Sequence, residues 1–292
     1  MDVSTVLVAG GYGQLGQELQ LVAPEFGGLR FVFARHADLD ITQPQSIERA
    51  MGAIAPRYVV NCAAYTAVDA AESDEPRAML VNGRAPALLA EACVRHNAQL
   101  LHLSSDYVFD GMASSPYTEE APAAPLSAYG RSKLEGERAA MGAGVALVLR
   151  TSWLYSPFGG NFVKTMLRLS ANRPEIAVVA DQLGSPSYAH DLAWAIASIV
   201  ASGHFRPGLF HYANRGMCSW YDLAREVVRL ASRQCRIRAI TTEQYPTPAV
   251  RPRYSVLSTS KLRETFDLDI PHWADSLSHC LKRLGVGPTS VL

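Results

Sequence analysis

Short apolar runs rich in β-branched residues alternate with longer amphipathic stretches through the first half of the chain. Five runs predict buried strands, over residues 3–9, 29–34, 58–61, 100–104 and 146–150. The stretches between them predict helices over residues 14–22, 44–54, 76–96 and 132–141. Strand–helix alternation at this spacing is typical of right-handed βαβ units, so the sequence predicts an α/β fold with a doubly wound parallel sheet.

The second half of the chain has a less regular pattern. Helices are predicted over residues 161–170, 190–202 and 220–231, and loops rich in proline and glycine separate them. Proline lacks a backbone N–H and does not continue a helix, so these loops mark the ends of elements. We therefore predict a second, smaller lobe that is built mainly from the C-terminal part.

Composition narrows the class of protein. The chain has 292 residues, 48% of them hydrophobic, and its formal net charge is zero. This length is enough for one large domain or for two unequal lobes. A neutral balance gives no electrostatic reason to expect nucleic acid or a membrane surface as a partner. No uninterrupted apolar run reaches about 18 residues, so we expect no membrane span.

The cysteines and the first residues indicate a cellular compartment. The five cysteines are odd in number and form no CxxC pair, which favours reduced thiols in a cytosolic protein. The N-terminus leads straight into STVLVAGGYG without a basic region, so no signal peptide is predicted. We therefore expect a cytoplasmic protein of enzyme size.

Three glycines lie where the first predicted strand meets the first predicted helix. In VLVAGGYGQLGQEL, Gly10, Gly13 and Gly16 form a GxxGxxG spacing that is related to the dinucleotide-binding fingerprint. Glycine permits the tight turn and lets backbone N–H groups approach a pyrophosphate at the helix N-terminus. Any tight strand–helix turn needs glycine, so it is the position in the first βαβ unit that favours a dinucleotide site.

Small and hydroxylic side chains follow two further predicted strands, at the sheet edge where ligands bind. Ala63 and Ala64 come after Asn61, where a flat ligand can lie close to the backbone. A strand–helix packing contact explains these two alanines equally well. In LHLSSDYVFDG, Ser105 stands beside Asp106, and its hydroxyl can either bind a substrate carbonyl or cap the following turn.

The segment PLSAYGRSKLEGE places Tyr129 and Lys133 four residues apart at the start of a predicted helix. Positions i and i+4 of a helix share one face. A solvated surface helix shows the same pattern. The alternative is a phenol whose pKa is lowered by a neighbouring cation, which would suit it to proton transfer near neutral pH.

The residues after the second strand bear on the choice of cofactor. In units that prefer NAD, an acidic residue near the end of this strand accepts hydrogen bonds from the ribose of adenosine. Here Arg35 and His36 follow the strand, and the first acidic residue is Asp38. A guanidinium can pair with a 2′-phosphate, although a solvated arginine is also common at a strand end. We predict NADPH in preference to NADH, and leave open whether NADH is accepted.

Taken together, these motifs resemble those of the extended short-chain dehydrogenase/reductases. NCAAYTAVDAAE, PLSAYGRSKLEGE, RTSWLYSPFGGNFVKTMLRL, DQLGSPS and YPTPAVRPRYSVL are similar to the dTDP-4-dehydrorhamnose reductase branch over nearly the whole chain. Three departures occur: Ser105 stands where many relatives have threonine, Ser127-Ala128 replaces Asn-Val, and Ser187 replaces threonine. None of them removes a chemical group that the reaction needs.

The resemblance implies two lobes and a reaction. A Rossmann domain over residues 1–172 and 188–213 would bind the dinucleotide, and a smaller α/β lobe over residues 173–187 and 214–292 would bind a dTDP-sugar. The reaction would reduce the 4-keto group of dTDP-4-dehydro-L-rhamnose to give dTDP-L-rhamnose, the last step of dTDP-rhamnose synthesis. This chemistry needs no metal. A homodimer is a further expectation.

The resemblance also implies roles for individual residues. Tyr129 would donate the proton to O4, Lys133 would lower the pKa of Tyr129 and hold the nicotinamide ribose, and Ser105 would donate to the carbonyl oxygen. The cofactor-binding residues would be Gly10, Gly13, Gln14, Leu15, Gly16, Arg35, Asp40, Ile41, Ala63, Ala64, Tyr65, Tyr129 and Lys133. The substrate-binding residues would be Ser105, Asp106, Trp153, Arg251 and Ser255, with Arg253 an equal candidate to Arg251 by charge.

Other activities of the same superfamily stay open at this point. A different nucleotide-sugar 4-ketoreductase, such as one that forms 6-deoxytalose, would use the same residues. An epimerase would keep NAD tightly bound and return the hydride to the sugar. A non-catalytic regulatory subunit of this fold would need no catalytic set, and the intact Ser105, Tyr129 and Lys133 argue against it.

Overall fold

The structure is a computed structural model that describes residues 3–286. Its strands are β1 (Ser4–Ala9), β2 (Leu29–Ala34), β3 (Tyr58–Asn61), β4 (Gln99–Ser105), β5 (Ala146–Thr151), β6 (Leu154–Tyr155), β7 (Glu175–Val179), β8 (Leu183–Gly184), β9 (Ser187–Tyr188), β10 (Gly208–His211), β11 (Cys218–Ser219) and β12 (Arg236–Ile240). Six of these strands form the central sheet, and the others pair two by two around it.

The helices are α1 (Gln14–Val22), α2 (Pro44–Ile54), α3 (Val68–Ala71), α4 (Glu75–Ala78), α5 (Ala85–Arg95), α6 (Ala128–Gly142), α7 (Phe162–Ser170), α8 (Ala189–Ala201), α9 (Trp220–Leu230), α10 (Ser260–Phe266) and α11 (Trp273–Arg283). A π-helical segment, Met79–Arg84, joins α4 to α5. Single turns of 3₁₀ helix occur at Ala23–Glu25, Asp106–Val108 and Thr242–Gln244. Within residues 3–286, no helix has the length and apolar character needed to cross a membrane.

The order of strands in the central sheet creates a binding edge. The strands lie in the order β2, β1, β3, β4, β5, β10, and each pairing is parallel. The chain first moves outward from β1 to β2 and then returns to β3 on the other side of β1. In doubly wound sheets, ligands bind at the carboxyl ends of the strands beside this reversal. The predicted parallel sheet is confirmed.

Two apolar layers cover the two faces of the central sheet. Val6 and Val8 of β1 pack in one layer with residues of α1 and α8. Leu7 and Ala9 point the other way, into a layer that includes α2 and α5. Both faces of β1 are therefore buried beyond its first two residues, and this is why residues 6–9 are all apolar rather than alternating.

A third apolar cluster lies outside the central sheet. It joins Val163 of α7, Ile176 of β7, Leu223 of α9 and Leu277 of α11. The cluster contains residues from both sides of the predicted boundary at residue 172, and the division into two lobes stays a prediction. Residues 1–2 and 287–292 of the predicted lobes lie outside the described residues.

The predicted elements of the first half are confirmed with shifts at their ends. Helix α6 begins at Ala128 instead of residue 132, because Ser127 Oγ accepts the N–H of Gly130 at 3.1 Å and so caps the helix. Tyr129 and Lys133 therefore share one helix. The predicted helix over residues 76–96 consists of α4, the π-helical segment and α5. The predictions missed β10, the sixth strand of the sheet, the six strands outside the central sheet, and also α3, α10 and α11.

Candidate active site

The turn between β1 and α1 brings backbone N–H groups to the binding edge of the sheet. Gly10 has a φ of +71°, and a Cβ there would lie 2.6 Å from the backbone nitrogen of Ala63. Gly16 has no room for a Cβ against the backbone of Gly11. Gly13 is the N-cap of α1, and no side chain caps this helix. The first N–H groups of α1 are thus available to a diphosphate, which fits a dinucleotide cofactor.

Arg35 lies beside this turn, just after β2. Its guanidinium carbon is 4.6 Å from the centroid of the Tyr12 ring, and its backbone N–H donates to Asp38 at 3.1 Å. The side chain is exposed, and its guanidinium forms no ion pair within residues 3–286. An arginine held against an aromatic ring with its N–H groups unused is suited to binding a phosphate.

Two asparagines hold the loop that follows β3. Asn82 Oδ1 accepts the N–H of Tyr65 at 2.9 Å, and Asn82 Nδ2 donates to the Tyr65 carbonyl at 3.0 Å. Asn61 Oδ1 accepts the N–H of Ala63 at 3.1 Å. Asn82 belongs to the π-helical segment, and such segments are frequent at functional sites. Asn61 and Asn82 therefore fix the backbone of the loop after β3, which carries the predicted cofactor-binding residues Ala63, Ala64 and Tyr65.

A cavity of about 830 Å³ opens at this edge of the sheet. The predicted site residues that line it are Gly10, Gly13, Gln14, Leu15, Ala63, Ala64, Ser105, Asp106, Tyr129, Lys133 and Trp153. Those that do not line it are Gly16, Arg35, Asp40, Ile41, Tyr65, Arg251 and Ser255. The structure thus brings the three proposed catalytic side chains and the glycine turn to one cavity.

Asp40 and Ile41 lie away from this cavity. The carboxylate of Asp40 accepts hydrogen bonds from the backbone N–H of Thr42 at 2.9 Å and from its hydroxyl at 2.7 Å. Ile41 is 4% exposed and packs in the core with α2. Contact of these two residues with a cofactor stays a prediction.

Lys133 is a buried amine at the centre of the site. It is 2% exposed, and its Nζ donates to the carbonyl oxygen of Leu103 at 2.6 Å. Burial lowers the pKa of Lys133 to about 8, while Glu137, one helical turn further on, opposes this shift. The amine therefore still carries a charge at neutral pH and lies close to the carboxyl end of β4.

Tyr129 is a phenol that keeps its proton. Burial raises the pKa of Tyr129 to about 12; a hydrogen bond with Ser105 lowers it, and the charge of Asp106 raises it. This direction is opposite to the one predicted from the charge of Lys133, because burial outweighs the other influences. A phenol with this pKa is protonated at neutral pH, as a proton donor has to be.

Ser105 and Asp106 form a buried polar pair beside Tyr129. Ser105 Oγ accepts the N–H of Tyr107 at 3.2 Å, which caps the 3₁₀ turn, and donates to Asp106 Oδ1 at 3.0 Å. Burial raises the pKa of Asp106 to about 6, while the neighbouring Ser255 and Ser105 hydroxyls lower it. Within residues 3–286, Asp106 Oδ2 makes no hydrogen bond of ordinary geometry. Ser105 is thus both a turn cap and a lining residue of the cavity.

The two candidate arginines of the C-terminal part make ion pairs with other residues. Arg251 forms a two-point ion pair with Asp69, with its shorter N···O distance at 2.8 Å. Arg253 pairs with Glu243 at 2.8 Å on the surface. Binding of a substrate diphosphate by Arg251 or by the buried Ser255 stays a prediction.

An aromatic wall closes one side of the cavity. Trp153 has a φ of +48°, a left-handed conformation that is rare for a bulky residue. Its indole stacks on Trp220 with the ring centroids 3.5 Å apart and 7° between the planes. Phe162 packs against Trp220 with centroids 4.7 Å apart. The sequence places Trp220 only at the start of a helix, so it gave no sign of a functional role.

Several other lining residues were not predicted from the sequence. They are Cys62, Thr66, Val68, Leu103, Ser104, Tyr107, Thr151, Ser152, Leu154, Gly160, Phe162 and Trp220. Half of them lie at the carboxyl ends of β3, β4 or β5 or within two residues of those ends, namely Cys62, Leu103, Ser104, Tyr107, Thr151 and Ser152. Their common signal is therefore position: the first residues beyond the carboxyl ends of parallel strands lie at the binding edge.

A dinucleotide along the glycine turn would reach towards Tyr129, and a ketone or alcohol beside Tyr129 would be within range of proton transfer. Among parallel α/β proteins this is the arrangement of the extended short-chain dehydrogenase/reductases. Comparison with known proteins narrows the class. Residues 4–286 match the family model described as the RmlD substrate binding domain. The chain belongs to this family, that of the dTDP-4-dehydrorhamnose reductases.

Three relatives illustrate the similarity. A dTDP-4-dehydrorhamnose reductase from Burkholderia thailandensis is 40% identical over 297 residues, covering 96% of this chain and 98% of that protein. A probable dTDP-4,6-dihydroxy-2-methyloxan-3-one 4-ketoreductase from Streptomyces antibioticus is 44% identical over 274 residues, covering 93% and 92%. The crystal structure of dTDP-4-dehydrorhamnose reductase from Bacillus anthracis in complex with NADP is 35% identical, has a TM-score of 0.92, and covers 97% of this chain and 100% of that one.

Proposed function

We propose that this protein reduces the 4-keto group of dTDP-4-dehydro-L-rhamnose to give dTDP-L-rhamnose, with NADPH as the reductant. The observation that carries the proposal is that Ser105, Tyr129 and Lys133 line one cavity with the glycine turn at the start of α1. The similarity to proteins named dTDP-4-dehydrorhamnose reductase, across nearly the whole chain, supports the choice of substrate.

Tyr129 is the proton donor of the proposed reaction. The bound cofactor supplies the hydride that adds to C4. As charge develops on O4, the O–H bond of Tyr129 breaks and an O4–H bond forms, leaving a phenolate. Because burial holds the pKa of Tyr129 at about 12, the proton is present at neutral pH and is given up only when O4 becomes the stronger base.

Lys133 stabilises the site after the proton has left. Its amine is charged at neutral pH and lies one helical turn from Tyr129, so it favours the phenolate. The same Nζ can donate to a ribose hydroxyl in addition to the Leu103 carbonyl, because an ammonium has three protons. The burial of Lys133 keeps water away from this charge and strengthens its effect.

The preference for NADPH is proposed from Arg35. Its guanidinium stacks on Tyr12, next to the glycine turn, and has no acidic partner within the described chain. A 2′-phosphate on the adenosine ribose would supply that partner. The NADP complex of the Bacillus anthracis protein supports this choice of cofactor.

A second candidate substrate is another dTDP-4-keto-6-deoxy sugar. The relative from Streptomyces antibioticus, which is 44% identical, is named as a 4-ketoreductase of a different dTDP-sugar. The reduction would use the same three residues, and only the contacts to the sugar ring would differ. A homodimer, a cytoplasmic location and the lack of a nucleic-acid partner stay predictions.

The test is an assay of the purified full chain. We expect NADPH consumption in equal amount to added dTDP-4-dehydro-L-rhamnose, and a product whose nuclear magnetic resonance spectrum is that of dTDP-L-rhamnose. A 6-deoxytalose product would support the other stereochemistry at C4. A purified protein that holds NAD in equimolar amount and consumes no NADPH would overturn the proposal in favour of an epimerase.

A further inference from the structure

We propose that Trp220 and Gly184 clamp Trp153, so that Trp153 meets the sugar nucleotide with its indole N–H and not with its aromatic face. Trp220 then becomes a positioning residue for substrate binding. This inference rests on the proposed function, since it names the contact through which the same cavity binds its substrate.

Trp220 covers one face of the Trp153 indole. Its ring and that of Trp220 are parallel to within 7°, with centroids 3.5 Å apart, which is full van der Waals contact. A sugar ring that stacks on an indole needs the same surface. Stacking of the substrate on this covered face of Trp153 therefore does not fit the geometry.

Gly184 leaves Trp153 no second position. A Cβ at Gly184 would lie 2.5 Å from Cε2, 2.7 Å from Cζ2 and 2.8 Å from Nε1 of Trp153. Real Cβ contacts do not approach this closely, so any larger residue at this position would displace the indole. The indole thus lies between the ring of Trp220 and the backbone of β8.

The two sides of the clamp belong to one unit. Gly184 of β8 pairs with Cys218 of β11, and Leu183 pairs with Ser219. Ser219 is the N-cap of α9 and forms a capping box with Asp222, which fixes the start of the helix at Trp220. Trp220 and Gly184 are therefore held at a set separation by backbone hydrogen bonds.

The backbone of Trp153 is also held in an unusual conformation. A φ of +48° is unfavourable for a residue with a bulky side chain and persists only where the surroundings fix it. Neighbouring groups supply that constraint: Ser152 Oγ donates to the Ser185 carbonyl at 2.6 Å, and Ser187 N–H donates to the Trp153 carbonyl at 3.3 Å. Strain of this kind concentrates at binding sites.

The remaining polar group of Trp153 is its indole N–H. This N–H has no acceptor within residues 3–286, and the side chain lines the cavity that holds Ser105 and Tyr129. An indole can only donate. The sugar nucleotide carries hydroxyl, carbonyl and phosphate oxygens, so an oxygen acceptor of this ligand is the partner that the geometry fits.

The experiment compares Trp220→Ala, Trp220→Phe, Gly184→Ala and Trp153→Phe, with Trp194→Phe as the control. Trp194 lies on α8, 40% exposed and outside the cavity lining. Circular dichroism of the exciton couplet between the stacked indoles reports the clamp. Steady-state kinetics gives KM separately for the keto sugar and for NADPH.

We expect Trp220→Ala and Gly184→Ala to weaken the couplet and to raise KM for the sugar roughly tenfold, the loss of about one hydrogen bond, with KM for NADPH unchanged. Trp220→Phe should keep KM near that of the wild type, because a phenyl ring can still stack. Trp153→Phe should bind sugar as weakly as Gly184→Ala. An unchanged sugar KM in Gly184→Ala or in Trp153→Phe would overturn the proposal.

Calorimetric titration with dTDP-L-rhamnose separates this inference from the proposed reaction. The titration needs no turnover, so it reports the clamp even if the wild type fails to reduce the keto sugar. Weaker binding in Gly184→Ala and Trp153→Phe supports the clamp in either case. If Trp220→Ala fails to fold, the test rests on Trp153→Phe. A binding constant for dTDP-L-rhamnose equal to that of the wild type would show that the indole N–H does not contact the ligand.

Discussion

The hydroxyl proton of Ser105 is directed at Asp106, whose Oδ1 lies 3.0 Å from Ser105 Oγ. A serine hydroxyl has one proton, so Ser105 cannot donate to a ketone oxygen while this bond is intact. Ser105 Oγ also accepts the N–H of Tyr107, so it already takes part in two hydrogen bonds. Binding of the substrate must therefore compete with Asp106 for this proton, and the ionisation of Asp106 becomes part of the energetics of the site.

Asp106→Asn should make the protein more stable at pH 8. Burial raises the pKa of Asp106 to about 6 in the folded chain, from 3.8, so the native state binds a proton that the unfolded state has lost between these values. Stability therefore falls as pH rises through this window, and the full penalty is present above pH 6. The gain in free energy of unfolding at pH 8 should be on the order of 1–3 kcal/mol, since one pKa unit corresponds to about 1.4 kcal/mol.

The measurement is denaturant unfolding of the wild type and of Asp106→Asn at pH 4 and at pH 8. The variant should gain stability only at pH 8. Asp110→Asn is the matched control. Hydrogen bonds from the Met112 backbone and from Tyr117 lower the pKa of Asp110, so its stabilising effect is present above pH 4 and is lost as pH falls. This control should lose stability at pH 8. If Asp106→Asn also loses stability at pH 8, the buried charge of Asp106 does not destabilise the fold.

Tyr129→Phe should abolish most turnover and leave NADPH binding close to that of the wild type, because only the ionisable hydroxyl is removed. Lys133→Ala should reduce both, since it removes the charge beside Tyr129 and a donor to the cofactor ribose. Initial rates and a cofactor titration on each variant make the comparison. Near-normal turnover in Tyr129→Phe would rule out this residue as the proton donor.

Ser105→Ala should lower kcat by about 10²-fold, the usual effect of losing one donor to a developing oxyanion. Ser105→Thr should remain active, because the hydroxyl survives. Both variants also alter the cap of the 3₁₀ turn, so melting temperature is measured in parallel. If the alanine and threonine variants turn over at the same rate, Ser105 serves only as the turn cap.

Arg35→Asp should shrink or reverse the preference for NADPH over NADH without changing kcat at saturating cofactor. The carboxylate would repel a 2′-phosphate and accept hydrogen bonds from a free ribose. Arg30→Asp is the control: Arg30 is an exposed arginine near the start of β2, away from Arg35, and it donates to Thr5 Oγ1 at 3.1 Å. The readout is the ratio of kcat/KM for the two cofactors. An equal ratio in wild type and Arg35→Asp would show that Arg35 does not recognise the phosphate.

The central strands could be predicted from the sequence because they are buried on both faces. Val59 and Val60 of β3 are fully buried, and the apolar run continues without interruption until Asn61 at the end of the strand. Strand β10 lacks this signal. It has four residues, begins at Gly208 with a φ of +144°, and is defined by its pairing with β5 some sixty residues earlier in the chain. Pairing between distant segments leaves no local trace.

The same distinction applies to the site. Tyr129 and Lys133 are four residues apart, so a local pattern reveals them. Trp153 and Trp220 are far apart in the chain and come into contact only through the fold, so no local pattern near either tryptophan predicts their stacking. The raised pKa of Tyr129 also could not be predicted from the sequence, because burial of a side chain depends on the whole fold.

The π-helical segment Met79–Arg84 amounts to one inserted residue within an otherwise continuous helix. Deleting a single residue there would let α4 run directly into α5 as a regular helix. Every position before the deletion would then rotate by about 100° relative to those after it. Asn82 would turn away from Tyr65, and the loop after β3 would lose both of its hydrogen bonds to that side chain. In this part of the chain, the residue count matters more than residue chemistry for holding the loop after β3.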